Sequence, residues 1–185
     1  MKRSCVRQSL AAAVSILASG AFAGETLTDT FARDPQSRWT FVADTVMGGV
    51  SSGQVVFENE GNESLAHLTG QVSTENRGGF IQFRRAIDGR LKGDLEGVRL
   101  IARGNNQPYY VHLRTGGMVL PWQYYQGSFE ASSNWTEIRI PFSAFEASGR
   151  MLRSSVQPAS ITSIGVVAYG RDHQADVKIR EIGFY

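Results

Sequence analysis

The sequence predicts a single all-β domain of the sandwich or jelly-roll kind, and three observations carry that prediction. Nearly every apolar run is short, rich in Val, Ile, Phe and Tyr, and bounded by Gly, Asn, Ser or Pro, the punctuation of strands joined by turns. Several runs alternate apolar with polar residues, as in Phe80-Ile81-Gln82-Phe83-Arg84 and Val177-Lys178-Ile179-Arg180-Glu181-Ile182, which suits sheets with one face in the core and one in water. No apolar stripe of 3.6-residue period lasts long enough for a major helix.

Candidate strands fall at 39–42, 54–58, 65–72, 79–87, 98–103, 109–115, 123–131, 136–142, 164–169 and 175–184. About ten short strands with turn signals between them is the density of a two-sheet fold. Trp39 and Trp135 are expected in the core, the latter anchoring a strand that Pro141 closes because proline cannot donate to a ladder. Ser143-Ala144-Phe145-Glu146 has capping-box spacing and predicts one short helical turn, with Gly149 as its stop. Ile179, Ile182 and Phe184 end the chain on a strand expected to pair near the N-terminal one and close the edge of the sandwich. No linker, repeat or low-complexity tract interrupts the pattern.

The first residues have the form of a secretory signal. Lys2, Arg3 and Arg7 precede a short apolar run from Leu10, and Ala21-Phe22-Ala23 makes an A-x-A cleavage site. The run is too short to span a bilayer as a helix. Residues 1–23 are therefore predicted to be removed, leaving one domain over residues 24–185 and a periplasmic or secreted product. Without Lys2, Arg3 and Arg7 the 19 basic residues fall to 16 against 17 acidic ones, a formal charge of −1 in place of +2. That balance argues against nucleic acid as a partner. The only cysteine, Cys5, lies within the signal, so no disulfide, thiol nucleophile or Cys-based metal site is expected in the mature chain. No membrane span is predicted, and the sequence assigns no oligomeric state.

Two glycine pairs stand out, in Asp44-Thr45-Val46-Met47-Gly48-Gly49-Val50-Ser51 and in Glu75-Asn76-Arg77-Gly78-Gly79-Phe80-Ile81-Gln82-Phe83-Arg84. Each separates acidic and amide side chains from a β-type run, and so predicts a tight loop that sets carboxylates beside a strand. If both loops lie at one end of the sandwich, Asp44, Glu75, Asn76, Arg84 and Arg103 converge, with Arg84 or Arg103 forming bidentate hydrogen bonds to Asp44 or Glu75. Such a cluster reads either as a network that locks the loops or as a ligand-contact patch on a rigid scaffold. Tyr109, Tyr110, Trp122, Tyr124 and Tyr125 likewise read either as packing or as a saccharide-stacking platform.

Catalytic patterns are sparse. His67, His112 and His173 have no neighbours at metal-ligand spacing, no serine sits in a Gly-x-Ser-x-Gly elbow, and no GxGxxG or Walker pattern appears. An Asp44–Glu75 pair for glycosidic chemistry has a separation that sequence leaves open. No catalytic residue, cofactor or metal is expected.

Together these residues resemble the complex I intermediate-associated protein 30 family. Its members carry a Trp followed by Asp-x-Val-Met-Gly-Gly-x-Ser, matched by Trp39 and residues 44–51. A Gly-x-Val-Ser-x-Glu-Asn-x-Gly-Gly-Phe segment ending in Arg is matched over 70–84, and an Arg-Gly-Asp-Gly-like turn by Arg103-Gly104-Asn105-Asn106, with Asn in place of the usual Asp. Tyr109, then Trp135 with Ile140-Pro141-Phe142, and Ile164-Gly165 complete a match over roughly residues 27–185. The resemblance implies a galactose-binding-like jelly roll, a fold shared with many carbohydrate-binding modules. Its mitochondrial members are assembly factors for respiratory complex I and are not known as enzymes. An exported chain would not meet the cytoplasmic arm of that complex. The expected function is therefore a non-catalytic binding or assembly-factor-like module with an envelope protein as partner, or alternatively a domain that binds a carbohydrate or small ligand. The candidate binding residues are Asp44, Met47, Gly48, Gly49, Ser51, Glu75, Asn76, Gly78, Gly79, Arg84, Arg103 and Tyr109.

Overall fold

The computed structural model describes residues 27–88 and 91–185. The predicted signal, residues 1–23, lies outside them. Two six-stranded antiparallel sheets face each other. The first runs β3 (Ser52–Glu60), β4 (Glu63–Val72), β12 (His173–Phe184), β6 (Gly97–Gly104) and β9 (Thr136–Pro141), with β1 (Thr28–Asp29) beside the end of β12. The second runs β10 (Glu146–Ala147), β8 (Tyr125–Ala131), β7 (Gln107–Thr115), β11 (Ile161–Tyr169), β5 (Phe80–Ala86) and β2 (Thr40–Ala43). The predicted all-β sandwich is what forms. All ten expected strands are present, while β1 and β10, two residues each, were not anticipated.

Alternation sorts side chains between core and surface. In β5, Ile81 and Phe83 point inward and are fully buried, while Phe80, Gln82 and Arg84 share the outer face. At the N-terminal end of the core, Phe31, Trp39 and Phe83 pack with ring centroids 5.1–6.2 Å apart, and Leu68, Leu100, Val111, Leu113 and Val166 continue the core between the sheets. In β12 the register against β6 shifts between Ile179 and Glu181. This bulge lets the consecutive polar residues Arg180 and Glu181 both escape the core while Ile182 returns to it.

Three expectations are corrected. The last strand does pair with β1, Thr28 opposite Gly183, but it lies inside its sheet between β4 and β6 rather than closing an edge. Trp135 is half-buried on the outer side of the first sheet, clasped by the guanidinium groups of Arg180 and Arg103 at 4.2 and 4.7 Å from its ring centroid. The helical turn is a single 3-10 turn at Phe142–Ala144 without a side-chain cap, and Glu146 already belongs to β10, so Gly149 stops nothing.

The two outer faces differ in character. That of the first sheet is laced with ion pairs, among them Lys178–Glu58, Arg103–Glu60, Arg180–Glu63 and Arg99 with both Glu137 and Glu181. That of the second sheet carries aromatic and polar side chains around a hollow, and holds the candidate site.

Candidate functional site

The two glycine motifs meet on one carboxylate. Asp44 is fully buried. Its Oδ1 accepts from the Ser51 amide at 3.0 Å, and its Oδ2 accepts from the Ser51 hydroxyl and the Gly79 amide at 2.5 Å each and from the Phe80 amide at 3.3 Å. Burial pushes its pKa up, but the bonds from Ser51, Gly79 and Phe80 outweigh that and hold it below the usual carboxylate range. The glycines divide the work within each pair. Gly48 and Gly79 adopt positive φ, 89° and 124°, whereas a Cβ on Gly49 or Gly78 would overlap the Asp44 carboxyl group.

Among the described residues no arginine bonds to Asp44. Arg103 is on the opposite sheet with Glu60 and Trp135, and Arg84 lies further along β5. The predicted Asp44–arginine cluster is thus replaced by a lattice of three backbone amides and the Ser51 hydroxyl. The buried carboxylate that does hold cations is Asp29, which sequence reasoning passed over. It accepts from Arg38 at 2.8 Å, Arg85 at 2.6 Å, Trp39 Nε1 at 2.9 Å and the Phe31 amide at 2.8 Å. Burial opposes its charge, but these partners, Arg38 foremost, hold it far below the ordinary aspartate value. Arg38 also donates to the carbonyls of Ala32 and Arg33, so the ion pair pins a loop in which Phe31, Arg33 and Asp34 all have positive φ.

Other expected site residues are placed both in the interior and at the surface. Ser51 is buried against Asp44. Tyr109 is fully buried, donates to Asn105 Oδ1 at 2.7 Å and accepts from the Asp176 amide at 2.8 Å, and burial pushes its pKa up to about 12. It braces the turn at Asn105. Glu75 and Asn76 are exposed on a 3-10 turn in which Asn76 takes φ 56°, a backbone state that asparagine tolerates. With Asp44 sealed and Glu75 in solvent, the two do not form a carboxylate pair.

Beside this lattice the outer face of the second sheet opens into a hollow of about 440 Å³. Met47 and Arg77 from the two glycine loops edge one end. Across the floor, Arg84 on β5 is opposite Gly165 on β11, which is opposite His112 on β7. Gly165 has no side chain, so the middle of the floor stays open. Trp122, 59% exposed, and Tyr124 form the wall beyond β7. His112 stacks on Tyr124 with centroids 4.0 Å apart and bonds to Gln126 at 2.9 Å. Burial lowers its pKa to about 4, so it is a neutral donor–acceptor at neutral pH. Tyr169 packs edge-on against Tyr110, His112 and Tyr124.

The aromatic set therefore splits. Tyr109 and Tyr125 are core, whereas Trp122 and Tyr124 face the hollow. Of the named candidates, Met47, Gly78 and Arg84 line it. Sequence reasoning did not single out Arg77, Gln82, Arg114 or Tyr169 as site residues. For Gln82 and Arg114 the signal was parity, since residues 80, 82 and 84 share one face, as do 110, 112 and 114. Among the described residues no helix is long and apolar enough to cross a membrane, and no group of three His, Cys, Asp or Glu side chains is placed to hold a metal.

Residues 29–179 match the family model for complex I intermediate-associated protein 30. No curated protein matches the chain. Solved structures do. A family 11 carbohydrate-binding module from Clostridium thermocellum, in complex with a β-1,3-1,4-mixed-linked tetrasaccharide, has a TM-score of 0.64 at 12% identity, over 80% of this chain and 88% of its own. The solution structure of CtCBM11 has a TM-score of 0.65 at 13% identity, over 89% and 96%. A family 30 carbohydrate-binding module has 0.52 at 10% identity, over 72% and 91%. At these identities the likeness is one of fold.

Proposed function

This chain belongs to the complex I intermediate-associated protein 30 family, and from that premise we propose that it is an exported, non-catalytic binding module that takes a saccharide in the hollow over its second sheet. The observation that carries this reading is the contrast between the two outer faces. On the first sheet, charges neutralise one another in ion pairs. On the second, Trp122, Tyr124 and Phe80 surround a floor left open at Gly165, with Gln82, Ser163 and neutral His112 among them. Aromatic faces beside a few fixed polar atoms suit a ring that has an apolar C–H face and hydroxyl edges. That the fold is shared with a module solved with a tetrasaccharide supports the reading at the level of architecture.

Trp122→Ala tests it. Because the ring is 59% exposed, stability should stay within about 0.5 kcal/mol of wild type. Titration calorimetry against an oligosaccharide identified on a glycan array should show affinity about tenfold weaker. Unchanged affinity removes the hollow as the binding site. A protein partner is the second reading, favoured by Val46 and Met47, 72% and 52% exposed at the rim. Pull-down of an envelope protein by a module that binds no glycan would select it. Export makes its own prediction: mass spectrometry of the secreted protein should find Gly24 at the N-terminus, and a full-length cytoplasmic product would refute it.

A further inference from the structure

Resting on the saccharide reading above, we propose that the ligand is acidic: an oligosaccharide bearing carboxylate or sulfate groups, held by Arg77, Arg84 and Arg114. All three line the hollow, and among the described residues no Asp or Glu lines it with them. The ion pairs of the described residues all lie elsewhere, around Asp29 or over the outer side of the first sheet. The hollow is thus a local concentration of positive charge on a mature chain with 16 basic and 17 acidic residues. A guanidinium group offers a planar fork of donors that matches an oxyanion in two parallel hydrogen bonds. A neutral saccharide would leave that complementarity unused.

The placement of the arginines also says something about ligand length. Arg114 is anchored from behind, donating to the carbonyls of Pro121 at 2.8 Å and Leu120 at 3.0 Å. That fixes both its own position and the loop that carries Trp122. Arg84 and Arg114 flank β11 on opposite sides, beside Gly165 and Ser163. Burial and then the nearby Arg84 charge both disfavour the Arg114 cation, a strain that an anion between them would relieve. Arg77 sits at the other end, on the glycine loop next to Phe80. Phe80 and Arg84 are four strand steps apart, roughly 13 Å at the strand rise. Cations at both ends of that span fit a chain carrying repeated negative charges better than a single small anion.

The test is calorimetric titration of the purified protein with three short oligosaccharides of matched length: a uronic-acid oligomer, a sulfated oligomer and a neutral one. At least one acidic oligomer is expected to bind about tenfold tighter than the neutral one, with affinity falling as salt rises. Arg84→Gln and Arg77→Gln, which give up no hydrogen bond to a described residue, should each remove most of that preference, while Arg84→Lys retains part of it. Comparison of the two acidic oligomers distinguishes carboxylate from sulfate as the recognised group. Equal or tighter binding of the neutral oligomer, insensitive to salt and to both Gln variants, would overturn the acidic ligand while leaving the saccharide site intact. Binding of none of the three, by a protein with an unchanged melting curve, would overturn both.

Discussion

Asp44→Asn is expected to cost about 3 kcal/mol of folding stability, equivalent to roughly 6–12 °C in Tm for a domain of this size. The carboxylate accepts four hydrogen bonds from three residues in two loops, entirely out of solvent. An amide of the same shape has one acceptor and one donor group. If its oxygen serves Gly79 and Ser51 Oγ, its NH2 faces the Ser51 amide, donor against donor. Gly49→Ala and Gly78→Ala should reproduce the loss without touching the charge, because either methyl group overlaps the carboxyl. The pH dependence has a definite sign. Asp44 has a folded pKa below its ordinary value, so its contribution is fully present above the ordinary carboxylate range and is lost as pH falls through the folded value. Urea unfolding in acid should therefore narrow the gap between wild type and Asp44→Asn. Wild-type stability of the variant at neutral pH would refute the account.

Asp29→Asn is expected to be more damaging, at about 3–5 kcal/mol, because it leaves two guanidinium groups and an indole N–H around a neutral side chain. The Asp29 carboxylate is 2% exposed, with Arg38 and Arg85 bound at 2.8 and 2.6 Å. Its loss also frees the loop whose carbonyls Arg38 holds, and with it the three residues kept at positive φ. Arg85→Met should cost less, since Arg38, Trp39 and Phe31 still satisfy the carboxylate. If Asp29→Asn melts with wild type, or Arg85→Met proves the worse of the two, the loop is not held in this way. Acid should again weaken the wild type more than the Asp29→Asn variant, since Asp29 too has a depressed folded pKa.

Both carboxylates show what was legible in the sequence and what was not. Strands of four to twelve residues announce themselves by β-type runs between turn signals, whereas β1 and β10, two residues each, are too short to carry a pattern. The glycine pairs were readable as backbone signals, but the object they approach was not. Asp44 and Gly79 are 35 residues apart, and only the packing of one loop on the other reveals that both motifs enclose the same group. A cationic partner for Asp44 was expected because charge is usually met by charge. Four N–H and O–H donors meet it instead. Parity along β5 puts Arg84 and Arg85 on opposite faces, which decides their fates: Arg85 turns in to Asp29 and Arg84 turns out to the hollow. Trp135 looked like a core anchor because large apolar residues begin many strands. Arg103 and Arg180, from strands distant in sequence, clasp its ring outside the core instead. The hollow gathers residues from five separate segments around Gly165, a convergence that no local window contains.

The pairing of Thr28 with Gly183 joins the first and last strands of the domain in one ladder, and that ladder belongs to the sheet opposite the hollow. The consequence is one of mounting. A tag, bead linkage or fused neighbour attached beyond β1 or β12 would join the domain at the first sheet, and so away from the sheet that carries the aromatic and cationic face. Immobilised this way, the domain would be held from the sheet that does not carry the hollow, whichever of the two strands bears the attachment.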